Sequence, residues 1–225
     1  MGYICKNFYT IYMPVLILLR HGQSVWNLEN RFTGDTDIDL TPVGEHEASV
    51  AGTLLKDFHV DAAYTSMLNR AMHTLNIVLA KIGTSIPVIR SAALNERNYG
   101  SLQGLNKAEV EKQYGTKQLV LWRRSYDIAP PNGESLKDTY NRVVPYYKKE
   151  IEPQLKAGKN VLIVAHGNSL RALMMYLEHI SVTDITGINI ATGIPRLYTF
   201  SGNMKLVDAH YLANAAQEPT TKEVQ

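Results

Sequence analysis

A chain of 225 residues with 45% hydrophobic content can bury the core of one large α/β domain or two small ones. Its formal net charge of +2, with basic and acidic residues interspersed, gives no general affinity for nucleic acid or membranes, so any anion site must be a local cluster of cations. The single cysteine, Cys5, excludes an intrachain disulfide and reads as inert.

Residues 1–13 read as a short N-terminal extension. The apolar stretch 8–19 after Lys6 loosely mimics a signal peptide, but no small-residue cleavage site follows, and cutting there would remove a strand and the motif after it. Met13 offers an alternative start, no other stretch is long enough to span a bilayer, and a cytoplasmic location is expected. Residues 15–19 form a continuous apolar run, the pattern of a strand buried on both faces of a parallel sheet, and they lead into Arg20-His21-Gly22. Thr41-Pro42 is a cap followed by a proline at the first helical position; it opens a helix to about residue 57 with Ala48, Ala51, Leu54 and Leu55 on one face. A short strand is expected at 61–64, a helix from about 67 to 81 stopped by Gly83, and another strand at 87–90. Residues 92–134 are less regular, with short helices expected at 107–114 and 117–124, and are placed to cover a site.

From Ser135 onward, Leu136, Tyr140, Val143, Tyr147, Ile151 and Leu155 recur at helical spacing, with a kink expected at Pro145 and an end before Gly158. Residues 161–165 repeat the design of the first strand and lead into His166-Gly167-Asn168; a helix then starts at Asn168 or Ser169 and runs to about Glu178. A last strand is expected at 195–200, and residues 211–225 read as a flexible tail, polar from about Gln217. The alternation predicts one domain over residues 14–210, of the α/β class, with three α/β/α layers around a mostly parallel central sheet.

Two buried strands that each end in His-Gly are the informative feature. Ligands of open α/β sheets gather beyond the carboxyl ends of the strands, so both histidines are expected at one site. A neutral imidazole is nucleophilic near pH 7, and Arg20 beside His21 offers a fork of donors for phosphate oxygens. Gly22 is expected to permit close backbone approach. A protonated His166 would stabilise charge on a transferring phosphoryl group, and the helix after it aims backbone N–H groups at an anion. As isolated tripeptides these motifs also occur by chance in loops, and His166 can equally be a buried structural histidine. Arg70, just after a strand, can point to the same end of the sheet, although a solvated surface arginine is the ordinary reading of such a position. Lys107, Arg123 and Arg124 are a third group of cations, a substrate clamp or a solvated basic helix face. No Cys/His metal cluster, phosphate-binding loop or dinucleotide fingerprint is present in the sequence.

Taken together, the segments 20–27 (Arg-His-Gly-Gln-Ser-Val-Trp-Asn), 30–34 (Asn-Arg-Phe-Thr-Gly), 94–100 (Leu-Asn-Glu-Arg-Asn-Tyr-Gly), 102–107 (Leu-Gln-Gly-Leu-Asn-Lys), 122–127 (Trp-Arg-Arg-Ser-Tyr-Asp), 133–136 (Gly-Glu-Ser-Leu) and 165–171 (Ala-His-Gly-Asn-Ser-Leu-Arg) resemble the histidine phosphatase superfamily. More narrowly they resemble its cofactor-dependent phosphoglycerate mutases, over residues 15–206. The resemblance implies a phosphoglycerate mutase-like fold and interconversion of 3- and 2-phosphoglycerate in glycolysis and gluconeogenesis. It also implies 2,3-bisphosphoglycerate as priming phosphoryl donor, no metal, and a homo-oligomer with a dimer favoured. It makes His21 the phosphorylated nucleophile and Glu96 the general acid/base, with Arg20, Asn27, Arg70 and His166 around the transferring group. Thr33, Gly34, Tyr99, Lys107, Arg123, Arg124, Gly167 and Asn168 would hold the rest of the substrate, with Gly22, Gln23, Ser24, Arg97 and Asn98 contributing to its binding.

Three departures from the family pattern stand out: Asn98 in place of a common histidine, Asp35 in place of a common aromatic, and a short connection over 128–134. The short connection bears on lid closure and subunit packing more than on the chemistry; a looser lid would admit water and favour phosphatase leakage. Two other functions share these residues: a phosphohistidine phosphatase, in which water accepts the phosphoryl group, and a non-catalytic phospholigand-binding domain.

Overall fold

The computed structural model describes residues 13–212. The expected extension and tail, Cys5 included, therefore lie outside the described residues except for Met13, Tyr211 and Leu212. Six strands, β1 (Val15–Arg20), β2 (Ala62–Thr65), β3 (Val88–Arg90), β4 (Val161–Ala165), β5 (Arg196–Phe200) and β6 (Leu206–Tyr211), form one sheet in the order β3-β2-β4-β1-β5-β6. The four from β3 to β1 are parallel, whereas β5 and β6 are antiparallel to their neighbours. β6 was not expected from the sequence: it is an edge strand with mostly exposed side chains and lacks the apolar signature of the central ones.

Side chains alternate across each strand, and this alternation generates the layers. Leu16, Leu18, Tyr64, Val161 and Ile163 pack on one face, against α6 (Leu136–Tyr146), α7 (Glu152–Lys156) and α8 (Gly167–Glu178). Ile17, Leu19, Ala63, Leu162 and Val164 pack on the other, against α2 (Pro42–Leu54) and α3 (Asn69–Ile82). β1 and β4 are adjacent and in register, Arg20 opposite Ala165, so His21 and His166 leave the sheet side by side.

The capping chemistry read from the sequence operates as expected. The Thr41 side chain accepts from Gly44 N, and Ser135 and Asp138 form a reciprocal capping box. Gly83 ends α3 in the left-handed conformation at φ 76°. Pro145 has no N–H for the helical ladder, and two residues later the chain widens into a π-helical turn, Tyr147–Ile151. Between α3 and α6 the chain builds a cover over the carboxyl end of the sheet. α4 (Lys107–Tyr114) and α5 (Thr116–Arg124) share a small separate core of Phe32, Leu102, Val110, Leu119 and Trp122.

The loop carrying His21 is seated on the start of α2. A Cβ on Gly22 would lie 2.2 Å from Gly44 O, and one on Gly44 would lie 2.1 Å from Gln23 O. The close approach that Gly22 permits is thus to α2. Gly44→Ala is expected to lower stability by roughly 1–3 kcal/mol and to reduce turnover by displacing the His21 loop. Gly202→Ala, where a Cβ meets nothing within 4 Å, serves as the control. Thermal melts and turnover assays of both variants check this; equal melting temperatures would show that the loop has room to move.

Candidate active site

His21 is 2% exposed and fixed at both ring nitrogens. Its Nδ1 lies 2.7 Å from Gly22 O, and a carbonyl can only accept, so Nδ1 carries the proton. Nε2 is then the nitrogen with the lone pair, and it accepts from Arg70 Nε at 3.3 Å. Burial, followed by repulsion from Arg70 and Arg20, pushes the His21 pKa well below its ordinary value, so the ring is neutral at pH 7.

His166 stands beside it, with ring centroids 4.9 Å apart. Its Nε2 is 2.7 Å from Ser66 Oγ and its Nδ1 is buried without a protein partner. The expectation of a cationic His166 is corrected for these surroundings: burial first, then Arg70, His21 and Arg20, hold it well below its ordinary pKa. The electropositive N-terminal end of α8, where His166 sits, acts in the same direction. A dianionic phosphoryl group placed between the rings would reverse that field and favour protonation. The helix also starts one residue earlier than expected: His166 is itself the N-cap of α8, and its N–H donates to Ser169 Oγ.

Arg70 is 1% exposed and holds the neighbouring loop as well as facing His21, donating through Nη1 to Thr36 O and through Nη2 to Gly34 O. Arg20 donates from Nη1 to Ile190 O at 2.6 Å, while its Nε is buried without a partner. Thr33 Oγ1 is likewise buried and unpaired. Glu96 places Oε1 where it accepts from Arg97 N (2.8 Å) and Asn168 N (3.0 Å). A Cβ on Gly167 would sit in ordinary contact 3.5 Å from Glu96 Oε2 and 3.7 Å from Arg20 Cζ, so the start of α8 borders both groups.

These groups line one cleft of about 700 Å³, solvent at its mouth included. Of the residues expected from the sequence, Arg20, His21, Asn27, Thr33, Gly34, Arg70, Glu96, Tyr99, Lys107, Arg123, Arg124, Gly167 and Asn168 all line it. His166 lies behind His21, and five others do not reach the wall. Gly22 N donates to Thr74 Oγ1, and Gln23 is tied to Glu47 and Thr41. Ser24 is fully buried and caps α1 (Val25–Leu28), which carries Asn27. Arg97 is fully buried and donates to Tyr99 Oη, Trp122 O and Arg123 O, gripping the end of α5. Asn98 lines a second cavity. Its Nδ2 donates to Asp35 Oδ2 at 2.9 Å, so two of the departures from the family pattern are paired with each other.

The cleft also holds residues that sequence reasoning missed: Arg31, Phe32, Arg171, Asn189 and Ile190. Arg171 donates to Asn168 Oδ1, Ile185 O and Arg124 O. It lies three residues after Asn168 on α8, and that spacing on one helix face was the signal available. The connection over 128–134 is tied down. The short connection is stitched to the loop beneath it by Ser101 N donating to Pro131 O and by Glu134 N donating to Asn98 O.

Seven cationic side chains (Arg20, Arg31, Arg70, Lys107, Arg123, Arg124 and Arg171) therefore face one carboxylate, Glu96. The imbalance suits a ligand carrying several negative charges. Among the described residues no group of three or more His, Cys, Asp or Glu side chains is placed to hold a metal ion. Burial, then repulsion from Arg123, brings Lys107 down to about 8. The sign follows: below that value Lys107 is a cation that binds anions, and above it the charge is lost. The Michaelis constant for an anionic substrate should rise as pH passes through about 8, a step absent from Lys107→Gln. In the unfolded chain this lysine titrates near 10.4, so the folded state binds fewer protons between the two values and stability rises with pH there. Affinity and stability thus respond in opposite senses. An identical pH profile for Lys107→Gln would remove Lys107 from the binding step.

A buried neutral histidine facing cations at the carboxyl end of a parallel sheet suits chemistry on a phosphoryl group, and the chain belongs to the histidine phosphatase superfamily (branch 1), whose family model matches residues 16–209. Among curated relatives, the chain is 60% identical over 200 residues to a protein of Cytophaga hutchinsonii named 2,3-bisphosphoglycerate-dependent phosphoglycerate mutase, covering 89% of this chain and 94% of that one. It is 46% identical to 2,3-bisphosphoglycerate-dependent phosphoglycerate mutase 2 of Bacteroides thetaiotaomicron, covering 90% and 93%. Among solved structures, YhfR of Bacillus stearothermophilus matches with a TM-score of 0.76 at 27% identity, covering 86% of this chain and 94% of that one. A mycobacterial glucosyl-3-phosphoglycerate phosphatase in complex with VO3 matches with a TM-score of 0.77 at 24% identity, covering 88% and 97%, a likeness of fold.

Proposed function

We propose that this chain interconverts 3-phosphoglycerate and 2-phosphoglycerate, primed by 2,3-bisphosphoglycerate, through a phosphoryl group carried on His21. The observation that carries the reading is the pairing of an unprotonated Nε2 on His21 with Glu96 across a cleft of guanidinium groups. The names of the curated relatives support the same reaction.

The chemistry follows from these groups. His21 Nε2 attacks phosphorus as the ester P–O bond breaks, and Glu96 delivers a proton to the departing oxygen. In the return step the Glu96 carboxylate removes the proton from the accepting hydroxyl, whose oxygen attacks phosphorus as the P–N bond breaks. Arg20, Arg70 and a protonated His166 balance charge on the group in flight. A bisphosphorylated acid carries roughly −4 to −5 near neutrality. Lys107, Arg123 and Arg124 on the cover, together with Arg20, oppose that charge, and the unpaired Thr33 hydroxyl offers a further donor. A substrate held at both ends can turn over and take its phosphoryl group back, which favours a mutase over a phosphatase.

No helix among the described residues is long and apolar enough to cross a membrane, which accords with our reading of a cytoplasmic enzyme. The exposed Val88 and Ile89 on edge strand β3 support a homo-oligomer, the dimer being the simplest. The test is isomerisation of 3-phosphoglycerate with and without 2,3-bisphosphoglycerate. Dependence on trace bisphosphoglycerate is expected. Release of inorganic phosphate alone would make the chain a phosphatase, and isomerisation that ignores bisphosphoglycerate would contradict the phosphohistidine route.

A further inference from the structure

Arg142 lies on α6, outside the cleft, and none of its guanidinium nitrogens is left without an acceptor. Nε donates to Glu134 Oε1 and Nη2 to Glu134 Oε2, both at 3.0 Å, a two-pronged ion pair. Nη1 donates to Ala93 O (2.9 Å) and Asn95 O (3.0 Å), and Nη2 also donates to Glu96 O (3.1 Å). Three carbonyls of one four-residue segment therefore converge on a single planar group, and that segment carries Glu96. Glu134 extends the clamp, since its Oε2 accepts from Asn98 N and its own N–H donates to Asn98 O. The Glu96 main chain is gripped from behind by Arg142, while its carboxylate is oriented in front by the N–H groups of Arg97 and Asn168.

A guanidinium offers five donors in a fixed plane, whereas an ammonium is a compact charge with three rotating donors. Only the former can hold three carbonyls and a carboxylate at once. Resting on the reading of Glu96 as the acid/base group, we infer that Arg142, paired with Glu134, is a positioning residue that sets the Glu96 carboxylate for proton transfer. A carboxylate displaced by about 1 Å loses much of its effect, and such displacements lower rates by about 10²-fold.

The test is a double-mutant cycle on purified full-length protein, with Arg142→Lys introduced into the wild type and into Glu96→Gln, and kcat and KM read for 3-phosphoglycerate. In the wild-type background Arg142→Lys is expected to lower kcat about 10- to 100-fold with KM changed less than about threefold. In the Glu96→Gln background it should change kcat less than about threefold, because the group it positions is already disabled. Glu134→Gln, which preserves shape, should give a smaller loss of the same kind, and cooperative melting certifies that the variants fold. Equal losses in both backgrounds would reduce Arg142 to general support of the fold. Full activity of Arg142→Lys would show that charge suffices and overturn the inference. A failure of the mutase reading is distinct, since the wild type itself would then show no bisphosphoglycerate-dependent isomerisation.

Discussion

His21→Ala is expected to lower turnover by at least about 10⁴-fold and to remove the acid-labile phosphoenzyme altogether. The expectation rests on how the side chain is held. Nδ1–H is committed to Gly22 O, Nε2 alone is nucleophilic, and burial with Arg70 and Arg20 keeps the ring neutral. The other imidazole cannot take over. His166 lies behind His21 rather than on the cleft wall, and its Nε2 is engaged with Ser66. The fold should tolerate the change, because the ring's partners are a single carbonyl and an arginine that has two others. Incubation with labelled bisphosphoglycerate, followed by alkaline gel analysis, checks this. A labelled His21→Ala protein would move the phosphoryl carrier to another residue.

The second large effect is expected at Arg70. Arg70→Met should lower kcat/KM by about 10²–10³-fold by removing the charge that faces His21 Nε2, an effect comparable to deleting one transition-state donor. It should also lower stability. Gly34 O and Thr36 O lose their partner, and a buried group left unpaired costs about 1–3 kcal/mol. Arg70→Lys separates the two effects, because it restores charge but not the fork that reaches both carbonyls. Kinetics and thermal melts of the two variants decide it. Unimpaired kinetics with a lowered melting temperature would make Arg70 a loop anchor only.

Most of the fold was legible because its signals are local. The runs over 15–19 and Val161–Ala165 are apolar on both faces, and Thr41, Ser135 and Gly83 punctuate helices by mechanisms that act within four residues. β6 escaped because an exposed edge strand has no burial to write into its pattern. The cleft residues expected from the sequence came largely from recognisable motifs. Arg31 and Asn189 reach the wall only through tertiary contacts, Arg31 by donating to Gly104 O across the cover. The charge state of His166 was illegible for the same reason: it depends on Arg70 and Arg20, which are distant along the chain. Arg97 shows the reverse case, a residue in a diagnostic motif whose guanidinium serves the end of α5 and not the cleft wall.

The central claim is that Nε2 of His21 passes its phosphoryl group to a phosphoglycerate hydroxyl. The direct measurement is a chase: enzyme labelled on His21 is isolated, mixed with unlabelled 3-phosphoglycerate, and stopped within one turnover. Label appearing first in bisphosphoglycerate and then in 2-phosphoglycerate is the predicted result. Label appearing only as inorganic phosphate, at a rate that 3-phosphoglycerate does not change, would contradict it.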